Sequence, residues 1–193
     1  MALAEFAQAG PTDSVLDLCS GCGVIPILMW HHAPFSYGLG VELDPELAAL
    51  ARSNVAQFHL KNKIHILQMD VRFLDSNDLQ VISPFGSSDR FDVLTANPPY
   101  WPADRGRLNP NLQKAAARHE VSLTLVELLA AARRFLKPGG RFYFSHLESR
   151  KSEILVNLER AGFLIRKIQS VSAPFGRLLF EAHLDTRKIK VLT

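Results

Sequence analysis

Residues 14 to 23, Ser-Val-Leu-Asp-Leu-Cys-Ser-Gly-Cys-Gly, constrain the fold more than any other stretch. Val15 to Leu18 read as a buried strand, and Gly21 and Gly23 form a turn whose backbone can pass close to a ligand. Ile25 to Trp30 then continue directly as a helix, where Pro26 is tolerated because the first helical turn has spare N–H groups.

The same alternation repeats along the chain. A helix over residues 2 to 9, with Leu3 and Phe6 inward, stops at Gly10-Pro11, and a second strand runs from Tyr37 to Leu43. Asp44 caps the next helix and Pro45 opens it, with Leu47, Leu50, Ala51, Val55 and Phe58 as its apolar face. Ile64 to Met69 form a third strand, residues 75 to 90 a surface excursion, and Phe91 to Thr95 a fourth strand. Residues 101 to 120 read as a polar, basic functional loop. Ser122 or Thr124 starts a helix to Leu136, Thr124 and Glu127 matching a capping box, and Lys137-Pro138-Gly139-Gly140 stops it. Arg141 to His146 form a fifth strand and Ser149 to Ala161 a helix closed by Gly162. Two last strands, near 163 to 171 and 177 to 184, suggest an antiparallel pair, followed by a basic, solvated tail over 185–193.

Strands alternating with helices and ending in a hairpin predict an α/β fold: one domain over 1–193 with a doubly wound, mostly parallel, seven-stranded sheet. Ligands in such sheets bind beyond the carboxyl ends of the strands. Asp17 to Gly23, Glu42, Asp70 and Asn97 all fall there, so separate loops converge on one crevice.

The segment after the fourth strand, Asn97-Pro98-Pro99-Tyr100-Trp101, is a rigid polar elbow. A residue before proline is pushed out of the helical region, so Asn97 and Pro98 are extended, and neither proline offers an N–H. What remains is a row of acceptors: the Asn97 side-chain oxygen and a backbone carbonyl of Asn97 or Pro98, with the Tyr100 ring beside them. A planar group bearing an NH2 could donate two hydrogen bonds there and stack on the tyrosine. Read more plainly, Pro-Pro after a strand is a loop.

Together, the acid-x-x-x-Gly-x-Gly turn from Asp17 to Gly23 and the Asn-Pro-Pro-Tyr loop resemble class I S-adenosylmethionine-dependent methyltransferases that act on amide or exocyclic amine nitrogens. The resemblance sharpens over Asn97 to Pro102, Arg107-Leu108-Asn109-Pro110, Lys114-Ala115 and Ala117 to Glu120. These segments look like the bacterial enzymes that methylate adenine-N6 next to the valine tRNA anticodon.

That resemblance implies S-adenosylmethionine as cofactor and RNA as partner. It assigns Asp17, Cys19, Gly21 and Gly23 to the amino-acid and sulfonium end of the cofactor, with Asp17 on its ammonium directly or through water. Glu42 is assigned to both ribose hydroxyls and Asp70 to the adenine amine, with Val71 or Phe73 against the ring. Asn97, Pro98 and Tyr100 are the implied catalytic residues, Asn97 also lying against the cofactor. Pro99, Tyr100, Trp101, Arg107, Lys114, Arg118 and His119 are implied to hold the RNA. Arg105, Arg107, Lys114, Arg118 and His119 outweigh Asp104 and Glu120, as phosphate contacts require. The loop's Cys-Ser-Gly-Cys-Gly replaces the commoner Gly-Thr-Gly-Thr-Gly, and family members usually carry a further N-terminal segment, in whose last helix this chain is expected to begin.

Other readings compete. Glu42 and Asp70 also suit helix caps or surface acids. Glu42 lies where a Rossmann dehydrogenase keeps its ribose-binding acid, yet Pro26 replaces that fingerprint's third glycine. Cys19 and Cys22 form a C-x-x-C without two further zinc ligands nearby, and His31-His32 read as a helix end, so no metal is expected. Release-factor glutamine methylation, DNA adenine methylation and a non-catalytic RNA-binding role remain as functional alternatives. A net charge of +3 permits an anionic partner, and no stretch approaches the roughly 20 apolar residues that span a bilayer. Two cysteines and an N-terminus without a basic segment fit a cytoplasmic setting.

Overall fold

The computed structural model describes residues 2–78, 89–98, 123–172 and 176–189. The elements follow as α1 (Ala2–Phe6), β1 (Ser14–Leu18), α2 (Val24–His32), β2 (Tyr37–Glu42), α3 (Pro45–Gln57), β3 (Ile64–Gln68) and β4 (Phe91–Ala96). After them come α4 (Leu125–Phe135), β5 (Leu136–Leu147), a 3-10 turn (Glu148–Arg150), α5 (Lys151–Arg160), β6 (Phe163–Val171), β7 (Arg177–Leu184) and α6 (Thr186–Ile189). The strands form one seven-stranded sheet in the order β3-β2-β1-β4-β5-β7-β6. β1 to β5 are parallel neighbours, and β7 runs antiparallel to both β5 and β6. The expected mostly parallel sheet with a terminal antiparallel pair is what the chain forms.

Each strand's alternation feeds two cores. Leu16, Leu18, Leu94, Phe142 and Phe144 pack with Leu128, Phe135, Ile154 and Leu158 under α4 and α5. Val15, Val93, Tyr143 and Leu179 pack with Leu3, Phe6, Ile25 and Met29 under α1 and α2. The order reverses between β1 and β4, the switch point at which a doubly wound sheet binds its ligands.

Several boundaries differ from the sequence expectation. α1 ends at Phe6 rather than near residue 9. On α3 the buried residues are Ala48, Ala51 and Val55, while Leu47, Leu50 and Phe58 are exposed. The reason is a close approach: a Cβ on Gly23 would lie 3.2 Å from Ala51 Cβ, so only a small side chain fits where α3 meets the glycine turn. Lys137 to Gly140 do not break β5 either. Phe91 pairs with Leu136 and Val93 with Arg141, so the four residues form a bulge within one long strand, Gly139 supplying φ 74°. The tail is not wholly solvated, because Asp185 is buried, its N–H donating to Gly162 O at 2.9 Å. At the outer edge, β6 carries a register shift between Ile165 and Lys167, and Ile165, Arg166 and Lys167 are all exposed.

Candidate cofactor and catalytic site

The glycine turn hangs from the end of β1. Cys19, Gly21 and Gly23 have φ of 60°, 57° and 77°, so the first of three left-handed positions is held by a residue with a side chain. Two bonds fasten the turn to β2: Ser20 N–H donates to Val41 O at 2.9 Å and Gly21 N–H to Glu42 Oε2 at 2.7 Å. Glu42 Oε1 accepts from Asp44 N–H at 2.9 Å, so one carboxylate ties the turn to the start of α3. Asp44 in turn caps α3, accepting from Glu46 and Leu47 N–H at 2.7 and 3.0 Å.

Beneath the turn lies Asp17, fully buried, with the Thr95 hydroxyl donating to its Oδ1 at 2.6 Å. Burial pushes its carboxyl up to about 7; the Thr95 and Ser20 hydroxyls oppose the shift, Ser20 from beyond hydrogen-bonding geometry. The Cys19 thiol is pushed up to about 12 by burial and by the Glu42, Asp17 and Asp70 carboxylates, so it is a neutral packing group. Both cysteines are free. Among the described residues no group of three or more His, Cys, Asp and Glu is placed to hold a metal ion, and His31-His32 close α2 as the sequence suggested.

Asp70 follows β3. Arg72 grips its carboxylate from Nε at 3.0 and 3.1 Å and from Nη2 at 2.5 Å, and Arg72 N–H adds a bond of 2.9 Å. These bonds hold the Asp70 carboxyl below the usual range, Arg72's side chain contributing most. Val71 is buried in the core, whereas Phe73 is 72% exposed with the Arg72 guanidinium 5.5 Å from its ring centre. Of the two residues expected against an adenine ring, only Phe73 is open to one.

Asn97 leaves β4 one residue beyond the pair Leu18 and Ala96, which places it next to Cys19 at the mouth of the crevice. Its side chain is exposed, Pro98 is buried, and the Ser145 hydroxyl on β5 donates to Asn97 Oδ1. Alternation puts Thr95 and Asn97 on one face of β4, so Asp17, Thr95, Asn97 and Ser145 form a polar row across three strands.

No family model matches the chain. It is 32% identical over 143 residues to a Porphyromonas gingivalis protein named tRNA1(Val) (adenine(37)-N6)-methyltransferase, a match covering 72% of this chain and 53% of that protein. TrmN from Thermus thermophilus superposes with a TM-score of 0.65 at 26% identity, covering 95% of this chain and 47% of that one. The chain has the class I methyltransferase fold and is related to these enzymes. An RNA methyltransferase from Salinibacter ruber, solved with S-adenosyl-L-homocysteine, shares the fold at 17% identity and a TM-score of 0.59, covering 95% of this chain and 88% of that one. The chain spans about half the length of the curated relatives it matches.

Asp17, Cys19, Gly21, Gly23, Glu42, Asp70 and Asn97 all lie at or just beyond the carboxyl ends of the adjacent parallel strands β3, β2, β1 and β4. Val71, next to Asp70, is instead buried in the core. Asp17 acts from under the turn and has no exposed surface for direct contact with an ammonium. Pro99, Tyr100, Trp101, Arg105, Arg107, Lys114, Arg118 and His119 lie outside the described residues. Three contributors escaped the sequence reading: Thr95, Arg72 and Ser145. Thr95 had a signal, being two residues before Asn97 on the same strand face; Arg72 and Ser145 had none.

Proposed function

We propose that this chain is an S-adenosylmethionine-dependent methyltransferase acting on the N6 amine of an adenine in tRNA near the anticodon. The observation that carries this reading is the placement of the exposed Asn97 amide beside the Gly21 and Gly23 turn, on a chain 32% identical to a tRNA adenine-N6 methyltransferase.

The residues present fit the cofactor. A Cβ built on Gly21 would meet nothing within 4 Å, so the turn's outer side is open to a ligand. Each Glu42 oxygen accepts one backbone N–H and has the capacity for a further donor, as ribose hydroxyls require. The Asp70 carboxylate suits an adenine amine and the exposed Phe73 ring an adenine face. S-adenosylmethionine, when bound, supplies a sulfonium methyl already activated for transfer.

The protein's task is then alignment. Asn97 Oδ1 and a neighbouring carbonyl accept the two hydrogens of the target amine, orienting its lone pair toward the methyl and stabilising the positive charge that develops on nitrogen. The methylated ammonium is acidic, so its proton leaves without a strong base. Tyr100 and Trp101 stack a base turned out of its helix, Pro99 keeps the elbow rigid, and Arg107, Lys114, Arg118 and His119 contact phosphates.

The test is methyl transfer from labelled S-adenosylmethionine to bacterial tRNA lacking its modifications, followed by nucleoside analysis. Labelled N6-methyladenosine is expected; label on a release-factor glutamine instead would overturn the substrate. Asn97→Ala should lower transfer by roughly 10²- to 10³-fold with cofactor binding intact, as loss of one donor or acceptor at a developing charge does. Undiminished transfer would remove Asn97 from the mechanism.

A further inference from the structure

The Asn97 side chain is exposed at the end of β4, and the last torsion of an asparagine is broad and roughly two-fold. An amide that swings about that bond presents oxygen or nitrogen to a substrate amine with similar ease, and only the oxygen can accept its hydrogens. Something must select the orientation. The register supplies it: β4 and β5 pair Ala96 with Phe144, so the next residue of each strand, Asn97 and Ser145, emerges side by side on the opposite face.

We propose that Ser145 is a positioning residue for Asn97. Ser145 is 3% exposed and lies on a strand bonded on both sides, to β4 and to β7, where it pairs with Leu179. Its hydroxyl is therefore fixed by the sheet rather than by the loop. It donates to Asn97 Oδ1, and a carbonyl oxygen accepts two hydrogen bonds, so this bond and one from the incoming amine are compatible. The Ser145 bond sets the amide plane before substrate arrives and leaves the acceptor facing the crevice. Thr95, two residues earlier on the same face of β4, makes the corresponding bond to Asp17. The row thus ties the catalytic strand to β1 through Thr95 and to β5 through Asn97, so the acceptor's position follows the sheet and not the elbow.

This inference rests on the proposed role of Asn97, and its test separates the two. Single-turnover transfer is measured with saturating cofactor for the full protein and for Ser145→Ala, Ser145→Thr, Asn97→Ala and the Ser145→Ala/Asn97→Ala pair. Ser145→Ala should slow the transfer step by roughly 10- to 100-fold, as a misplaced reactant-holding group does, with cofactor affinity and thermal midpoint essentially unchanged. Ser145→Thr keeps the hydroxyl and suits a strand, so it should restore most of the rate. In the Asn97→Ala background, removing the hydroxyl should do nothing further. Equal rates for Ser145→Ala and wild type, equal damage from Ala and Thr, or additive loss in the double variant would each overturn the proposal. The Asn97 side-chain NH2 resonances should broaden or shift in Ser145→Ala and not in Ser145→Thr. If wild-type protein transfers nothing to tRNA, the functional reading fails, and those resonances still decide whether Ser145 holds the amide.

Discussion

Glu42 and Asp70 lie at the carboxyl ends of the neighbouring strands β2 and β3, yet they are held in opposite ways. Glu42, 8% exposed, closes β2 opposite Gln68 and accepts from two backbone N–H groups, those of Gly21 and Asp44. Asp70, two residues past β3, is held chiefly by the side chain of Arg72. Backbone donors cannot leave Glu42 without unmaking the turn, so its carboxylate is set in place at all times. The Arg72 side chain closes no turn, so Asp70 can exchange it for another donor without loss of the backbone around it. On the proposed cofactor placement, the carboxylate assigned to the ribose is fixed and the one assigned to adenine is exchangeable.

Asp17 takes the contrast to its limit, its carboxylate held among the described residues by the Thr95 hydroxyl, and it yields the largest expected effect. Its folded pKa of about 7 lies above the ordinary 3.8, so between those values the folded state holds a proton that the unfolded state has released. Stability should therefore fall as pH rises from about 4 to 7 and level off above. The stability difference between wild type and Asp17→Asn should shrink by on the order of 4 kcal/mol across that window in urea titrations. A flat difference would mean that Asp17 ionises as if exposed.

Glu42→Gln comes next. Its amide nitrogen must face the N–H of Gly21 or Asp44, leaving a buried donor unmatched at about 2 to 3 kcal/mol. Cofactor affinity should fall with it, and an unchanged denaturation midpoint would show that the turn stands without this brace. The smallest effect belongs to Arg72→Ala. The pair is partly exposed, with side-chain exposures of 19% and 16%, so releasing Asp70 should cost well under 1 kcal/mol of stability. It should raise cofactor affinity by roughly threefold, whereas Asp70→Asn should lower it. Weaker binding in Arg72→Ala would make the arginine itself a contact and reverse the comparison.

Local pattern carried much of this. The strand from Val15, the Asp44 and Pro45 start of α3 and the Thr124 and Glu127 capping box were legible because each rests on a few adjacent residues. The face of α3 was not, since Leu47 and Leu50 outrank Ala48 and Ala51 in hydrophobicity while the close approach of Gly23 selects the alanines. Lys137 to Gly140 were legible as the end of α4, but not as part of β5, because nothing local reveals that Leu136 and Arg141 on either side of them pair with Phe91 and Val93. In the site, the acids and glycines announce themselves at strand ends. The bonds that join Thr95 to Asp17 and Ser145 to Asn97 link residues 78 and 48 positions apart and depend on strand order, which periodicity does not encode.

The break in β6 bears on how the protein keeps its own company. A nine-residue strand at the rim of a sheet offers a row of unpaired amides and carbonyls to any other extended chain. Here the register slips between Ile165 and Lys167, while Arg166 is exposed and the Lys167 ammonium lies 5.0 Å from the Phe6 ring. A second strand approaching this rim would meet a kink and a cation where it needed a straight ladder. The side of the sheet thus carries its own obstacle to the addition of another strand.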